Sequence, residues 1–339
     1  MQNPNKYYLE RKNFRIAVIG GICLVLILFF VSMCMGRYSI SLGEIARFFT
    51  GQSVSDLSRK VIVNLRIPRT LAAMLIGVAL SLSGAIYQGI FNNKLVSPDL
   101  LGVSSGAGVG ACFAILLGAS GIWISGLSFV TGFVAVLLTI LIAKVFGNRT
   151  NVILLLSGVA VGGLMSSLIG LTKYLADDDR KLAEMTYWLL GDISGTTMGD
   201  VCVLLVVVTV CSIVALLFSN QINAVSLGER DARTNGVNYR LVIGVLIVCA
   251  TMMTASSVAI GGTIGWIGLA VPNIVRLAFG NDHKKVLPIS MVVGAGFMIL
   301  VDALARSLAP NEIPLSVITG VLGTPLFLLS IFKRRKEIQ

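Results

Sequence analysis

The chain has 339 residues, 55% of them hydrophobic and only 13% charged, with a mean hydropathy of +0.89. A soluble protein would carry about 25% charged residues, and several uncharged stretches here reach the ~20 residues that cross a bilayer. The composition therefore excludes a soluble globular domain and indicates a polytopic membrane protein, one whose formal charge of +11 comes from 27 Lys and Arg against 16 Asp and Glu.

A basic tail over residues 1–15, with Lys6, Arg11, Lys12 and Arg15, precedes the first predicted span at 16–35. That apolar run is too long for the core of a cleavable signal, about 7–15 residues. A loop with six cations follows: Arg37, Arg47, Arg59, Lys60, Arg66 and Arg69. Within it Ser41 and Glu44 fit a capping box, and Leu42, Ile45, Phe48 and Phe49 share a helical face, which predicts a short helix on the membrane surface. The segment "NLRIPRTL" then leads into span 2, contained in 70–93, with Pro68 at a position that favours helix initiation. Residues 100–143 are uncharged and hold spans 3 and 4, joined near 118–126. Residues 150–172 form span 5 and 201–228 contain span 6. The uncharged run 241–275 divides at Gly261 and Gly262 into spans 7 and 8. Spans 9 and 10 occupy 286–306 and 313–332.

An even number of spans puts both termini on one side. That side holds 17 of the 27 Lys and Arg and carries the whole net charge, so the positive-inside rule makes it cytoplasmic. The tails 1–15 and 333–339 and the loop 224–238 are then cytoplasmic. The six cations of the first loop face outward against that trend, which suggests a function for some of them. Two small-residue stretches, "GVALSLSGAIYQG" and "SGVAVGGLMSSLIG", are expected to bring helices into close contact.

Chemistry-bearing groups are sparse. There is no GxxxxGK[ST], HExxH or GxSxG motif, and the six cysteines lie in apolar runs without a CxxC pair, where they read as packing residues. His283, the single histidine, rules out a histidine-built metal centre. Ion-driven carriers place ionisable groups at mid-membrane. Here the charges near the spans are Asp302 and Arg306, four residues apart and expected to pair, and Arg276. Energy for transport is therefore expected from elsewhere, and the pathway suits a bulky substrate guided by shape. A stand-alone secondary carrier and a membrane-embedded enzyme are the alternative classes. In "NAVSLGERDARTNGVNYRL", Ser226 can cap a short helix over 227–235 and Gly236 can stop it. That helix is either a plain interfacial element or a lever for a cytosolic partner.

Five segments in this order resemble the FecCD-type permeases of bacterial ABC importers for iron–siderophore, haem and cobalamin. They are "LRIPRTLAAMLIGVALSLSGAIYQGIFNNKLVSPDLLGVSSGAG", "YWLLGDIS", "SLGERDARTNGV", "GTIGWIGLAVPNIVRLAFGNDHKKVLP" and "EIPLSVITGVLGTPLFLLSIFKRR". The resemblance implies an all-α polytopic membrane protein of about ten transmembrane helices, a BtuC-like ABC importer (type II) permease fold forming one domain over 1–339. It implies as partners a second permease subunit, identical or paralogous, two cytosolic ATPases and an extracytoplasmic binding protein, within membrane lipid and without nucleic acid. ATP and magnesium would sit on the ATPases, and this chain would bind no cofactor, metal or catalytic group of its own.

The resemblance also assigns residues. Leu227, Gly228, Glu229, Ala232 and Gly236 would form the ATPase-coupling helix, with Arg230 standing where many relatives have an acidic or small residue. Arg66, Arg69 and Arg306 would face outward and meet glutamates of the binding protein, internal pairing with Asp302 or Glu312 being the alternative for Arg306. Trp188, Leu189, Gly191 and Asp192 would lie at the outer gate, Thr150 and Asn151 at the inner gate. The implied cargo is a ferric siderophore moved by alternating access, with haem or cobalamin as alternatives.

Overall fold

The computed structural model describes residues 4–36, 38, 40–146 and 151–338, with side chains at 12–36, 38, 40–146 and 152–333. All regular elements among them are helical. Eight helical segments are long and apolar enough to cross a membrane: Lys12–Cys34, Asp56–Ile90, Gly121–Val145, Val152–Tyr174, Met198–Leu217, Tyr239–Gly261, His283–Ala305 and Leu315–Lys333. They correspond to predicted spans 1, 2, 4, 5, 6, 7, 9 and 10. Predicted spans 3 and 8 are shorter helices, Val103–Leu116 and Ile267–Phe279. At 1.5 Å per residue these rise about 20 Å, short of a ~30 Å hydrocarbon core.

The helices are numbered in chain order: α1 (Pro4–Cys34), α2 (Leu42–Phe49), α3 (Asp56–Val61), α4 (Ile67–Ile90), α5 (Val103–Leu116), α6 (Gly121–Val145), α7 (Asn151–Tyr174), α8 (Asp179–Leu190), α9 (Met198–Leu217), α10 (Ser219–Val225), α11 (Glu229–Thr234), α12 (Tyr239–Gly261), α13 (Ile267–Phe279), α14 (His283–Ala305) and α15 (Leu315–Ile338). Irregular backbone leads into each short span, with Pro98, Leu101, Gly262 and Ile264 buried; at membrane depth such backbone is tolerated where protein covers it or a water-filled cavity adjoins it. Before α5 a tight turn, Pro98–Leu101, ends at Gly102 with φ +80°. Before α13 the chain passes through Gly262 (φ +67°) and Trp266 (φ +70°).

Helix α4 is the spine of the bundle. Of its most apolar window 83% is buried, and α9, α12, α13 and α14 pack around it. The first small-residue stretch supplies the reason. A Cβ on Gly77 would collide with the carbonyl of Gly294 on α14, and one on Gly84 with the carbonyl of Gly268 on α13. Hydroxyls add polar ties: Ser81 Oγ donates to Ser290 O at 2.8 Å, Ser83 Oγ to Ala250 O at 3.1 Å, and Tyr87 and Thr251 hydroxyls lie 3.1 Å apart.

The second stretch, on α7, behaves differently. Gly158 admits the carbonyl of Leu100 and so seats the turn before α5, but nothing lies within 4 Å of where a Cβ would sit on Gly163 or Gly170. Only one side of α7 finds a neighbour, so the expected packing role holds for half of this stretch.

The start of α1 and the close of α15 fall at one end of the bundle, the proximal end; the opposite, distal end gathers the close of α1, the start of α4, the close of α14 and the start of α15. Helix α2 lies there with the expected Ser41–Glu44 capping box. Its apolar residues divide between two surroundings. Ile45 is buried among Met33, Ile40 and Ile62, with Phe48 packed beside them, whereas Leu42 and Phe49 are exposed and Phe49 meets Phe30 edge-on.

Candidate functional site

At the distal end α3 runs into α4 through one wide turn, Ile62–Arg66, closed by a hydrogen bond from the Ile67 N–H to the Ile62 carbonyl. Pro68 explains it. The proline has no N–H for the Asn64 carbonyl and its ring presses on that carbonyl, so the helix widens by one residue and continues. Residues 56–90 are thus a single rod, and Pro68 eases its passage where the sequence suggested a start.

The same stretch carries Arg66 and Arg69, which are 4% and 7% exposed; Arg306 at the end of α14 is 6% exposed. Arg66 donates to the carbonyl of Met33 in the last turn of α1, which has no intrahelical partner there, and to that of Tyr38 in the loop beyond. Arg69 Nε lies 2.7 Å from Asp302 Oδ1, and its Nη1 lies 2.9 Å from Glu312 Oε2. Arg306 Nη2 lies 3.1 Å from Asp302 Oδ2 and also donates to Ser32 Oγ. Asp302 is fully buried, one carboxylate shared by two guanidiniums.

This corrects the expectation of three outward-facing cations. A guanidinium at a span end is stabilised by a neighbouring carboxylate and by bare helix carbonyls, and packing brings both within reach. The pairing of Asp302 with Arg306, expected from their spacing, is present. Glu312, a third exposed, is the open edge of the cluster.

The candidate outer gate adjoins it. Trp188 and Leu189 are half-buried at the end of α8, a helix unmarked in the apolar pattern because Asp179, Arg180, Lys181 and Glu184 interrupt it. Met185 anchors α8 against Ala111, Cys112, Ile115 and Ile124 of α5 and α6. Three hydrogen bonds hold the carbonyls at its close. Thr263 Oγ1 donates to Leu189 O, Ser316 Oγ to Leu190 O at 2.7 Å, and the Leu315 N–H to Gly191 O at 3.0 Å. Gly191 adopts φ +81°, and Asp192 accepts from the N–H and hydroxyl of Ser194 at 2.8 and 2.6 Å. A small cavity of about 130 Å³, lined by Arg69, Tyr187, Gly191, Asp192, Glu312 and Leu315 among others, joins this turn to the arginine cluster. Of the inner-gate residues, Thr150 lies outside the described residues, and Asn151 is the first residue of α7 with its side chain outside them.

At the proximal end the expected helix over 227–235 is shorter, α11 at Glu229–Thr234, and Gly228 with φ +111° precedes it. Ser226 does not cap it; its hydroxyl donates back to Asn223 O at 2.7 Å, at the close of α10. Leu227 is exposed, Glu229 pairs with Arg233 along the exposed face, and Gly236 ends the segment at φ +73°. Ala232 alone turns inward, fully buried against the bundle core.

Sequence reasoning missed what ties this loop to the spans. Asn223 Oδ1 accepts from the His283 N–H at 2.9 Å and lies 2.7 Å from His283 Nδ1, while Asn223 Nδ2 donates to Asp282 Oδ1 at 2.8 Å. His283 is buried against Gly89 of α4, where a Cβ would come within 2.5 Å of its Nε2. Nearby, Arg276 donates to Gln88 Oε1 and to the Ala85 carbonyl. Partners 60 residues apart leave no local pattern, so only the fold brings them together.

A rod-centred helical bundle with two half-length spans, a distal ionic cluster beside a helix turn, and a short charged helix at the proximal end define a multi-pass helical membrane protein. The chain belongs to the FecCD transport family, whose family model matches residues 24–333. It is similar to the molybdate import system permease protein MolB of Haemophilus influenzae, 36% identical over 94% of this chain and 96% of that one. It is also similar to the vitamin B12 import system permease protein BtuC of Klebsiella pneumoniae, at 35% identity with 97% of each chain covered. An iron chelatin transport system permease protein of Helicobacter pylori is 35% identical, over 96% of this chain and 99% of its own. A solved metal-chelate type ABC transporter in an inward-facing conformation superposes with TM-score 0.83 at 34% identity, covering 93% of this chain and 98% of that one. The protein is thus a multi-pass permease subunit of an ABC importer of the FecCD/BtuC class, a transport component whose ATPase is a separate subunit.

The buried cluster generates a stability prediction. Removing one partner of a buried ion pair costs ~3–5 kcal/mol because the other charge stays behind. Asp302→Asn, which strips the shared carboxylate from Arg69 and Arg306, should lower the melting temperature of the purified protein, and adding Arg306→Gln should recover part of the loss. An unchanged melting temperature for Asp302→Asn would show that the pairing contributes nothing to stability.

Proposed function

We propose that this chain passes a chelated metal, a ferric siderophore, through the membrane by alternating access, receiving it from an extracytoplasmic binding protein while both termini lie in the cytoplasm. The observation that carries the reading is the likeness to the metal-chelate type transporter, at TM-score 0.83 over 93% of the chain. The chemistry of the spans supports a bulky cargo over a small oxyanion such as molybdate. A bare oxyanion needs cationic partners along its path, whereas Arg69, Arg276 and Arg306 are buried in the bundle with partners of their own. Competition tests the cargo. With the partner ATPase and binding protein reconstituted in vesicles, ATP-dependent uptake of a labelled ferric siderophore should be displaced poorly by haem, cobalamin or molybdate. Displacement by one of those at lower concentration would assign the transporter to it.

ATP binding on the partner subunits would move α11 through the exposed faces of Leu227, Gly228, Glu229 and Gly236, with Ala232 as its anchor in the core. Contacts inside the chain offer a route onward. Asn223 ties α10 to the start of α14; α14 carries Asp302 at its far end; Asp302 holds Arg69, and Arg69 with Glu312 borders Gly191 and Asp192 at the outer gate. Asn223→Ala should leave ATP hydrolysis by the complex in place and lower the substrate moved per ATP. An unchanged ratio would remove Asn223 from the coupling route.

Docking of the binding protein on Arg66, Arg69 and Arg306 then works through the cluster. An incoming carboxylate would compete with Glu312 for Arg69, the partner at the cluster's open edge. Neutralising the competitor by Glu312→Gln should therefore tighten binding of the loaded binding protein to the reconstituted complex, by surface plasmon resonance. Equal or weaker binding would place the docking contacts elsewhere on the distal face.

A further inference from the structure

Asp302 and Glu312 are taken up by arginines, but Asp99 is not. It stands one residue ahead of the uncharged run 100–143, where the apolar pattern reads a loop outside the membrane. The fold instead draws it inward, in the turn Pro98–Leu101 that leads into the half-length α5. Thr139 of α6 donates to the carbonyl of Leu101 at 3.1 Å, and Gly158 of α7 leaves room for the carbonyl of Leu100. Thr139 precedes the close of α6 by six residues and Gly158 follows the start of α7 by seven. At 1.5 Å per residue both place the turn about 10 Å inside the proximal end. On its other side Pro98 packs against Gly268, at the start of the other half-length span, where a Cβ would lie 2.7 Å from the proline Cδ.

At that depth Asp99 is exposed and takes part in no ion pair among the described residues. Its Oδ1 accepts from the hydroxyl of Ser104, in the first turn of α5. A carboxylate turned into hydrocarbon, or into a dry contact without a cation, is costly. Water beside it removes that cost, and irregular backbone at membrane depth is likewise tolerated beside a water-filled cavity. Space adjoins the turn. A Cβ on Gly162 would lie 3.7 Å from Ser105 Oγ, and nothing lies within 4 Å of a Cβ on the next residue, Gly163.

The side of α5 that carries Ser104 identifies this space. Gly108 lies four residues further along the same side, and a Cβ there would come within 3.0 Å of Leu189 Cδ2. Leu189 belongs to the candidate outer gate. Ser104 therefore sits roughly 6 Å, about one helical turn, beneath the level where α5 meets the gate, and it holds Asp99 there.

We propose that Asp99, fixed by Ser104 beneath the candidate outer gate, faces the translocation passage and acts as its charge filter, admitting neutral and cationic cargo and opposing anionic cargo. At an effective dielectric constant of about 20, a fixed carboxylate ~10 Å from a passing unit charge changes its occupancy on the order of tenfold. The consequence for the cargo rests on the reading of that cargo as a ferric siderophore. The preferred chelate is then a neutral or cationic trihydroxamate, and an anionic ferric triscatecholate is disfavoured.

The test uses the full transporter complex in nanodiscs, with and without ATP. Ser104→Cys is treated separately with a cationic and an anionic methanethiosulfonate. Mass spectrometry of the modified peptide keeps residue 104 apart from the six native cysteines. Both reagents should reach residue 104 in at least one nucleotide state, and adding Asp99→Asn should lower the cationic-to-anionic rate ratio about tenfold. Asn keeps an acceptor for residue 104, so a merely structural role for Asp99 leaves that ratio unchanged. The proposal is overturned if neither reagent modifies residue 104, or if the ratio is the same with Asp and with Asn. A second arm follows ATP-dependent uptake of ferrioxamine B, which is cationic, and of its N-succinyl derivative, which is anionic and has the same iron centre. The wild type should favour the first and Asp99→Asn should narrow the difference; a difference equal in both overturns the filter. Uptake of neither counts against the siderophore reading alone, and the labelling ratio then decides the role of Asp99.

Discussion

Inside a bilayer the lipid tails are as apolar as leucine, so helices gain nothing by leaving them unless backbones approach closely or polar groups pair. In this protein α4 satisfies both conditions, and the other elements are arranged around it. Gly77 against Gly294 and Gly84 against Gly268 bring three backbones into contact, while Ser81, Ser83 and Tyr87 reach polar atoms on α14 and α12. The ends of the same rod present the two regions of functional interest. Its beginning carries Arg66 and Arg69, and near its close Gly89 makes room for His283.

The distal cluster shows how a membrane protein keeps charges near its interior. Two guanidiniums share Asp302, and a third is bound by carbonyls at the end of α1 and in the loop that follows it. Networks of this kind contribute little net stability compared with an apolar core of the same shape, yet they are costly to break. Their effect here is geometric: four elements, α1, α4, α14 and the entry to α15, are held in one register at the end of the bundle where α8 closes. The wide turn before Pro68 belongs to the same arrangement, since it lets the rod continue past a residue that would otherwise interrupt it.

Function in this fold is a matter of connection. The candidate sites are a short charged helix at one end and a hydrogen-bonded helix turn at the other, with α14 spanning the distance between Asn223 and Asp302. A helix anchored by polar contacts at both ends is suited to carrying a displacement from one face of the bundle to the other.

Much of this was legible in the sequence because it depends on local pattern. Apolar run length located the spans, including those that prove to be half-length, since charge and glycine mark the ends of a run whatever its tilt or depth. The capping box of α2 and the i,i+4 pair of Asp302 with Arg306 are likewise local. The shorter extent of α11 and the change in role of Ser226 reflect a loop whose backbone answers to α10 and α12 as well as to its own residues. Tertiary structure alone decided whether the arginines face solvent or interior, because burial depends on Asp302 and Glu312, which lie 233 and 243 residues from Arg69. It alone decided that Gly163 stands uncovered while Gly77 is packed, although both belong to similar stretches. Periodicity states what a helix can offer to a neighbour; which neighbour arrives is settled only when the helices meet.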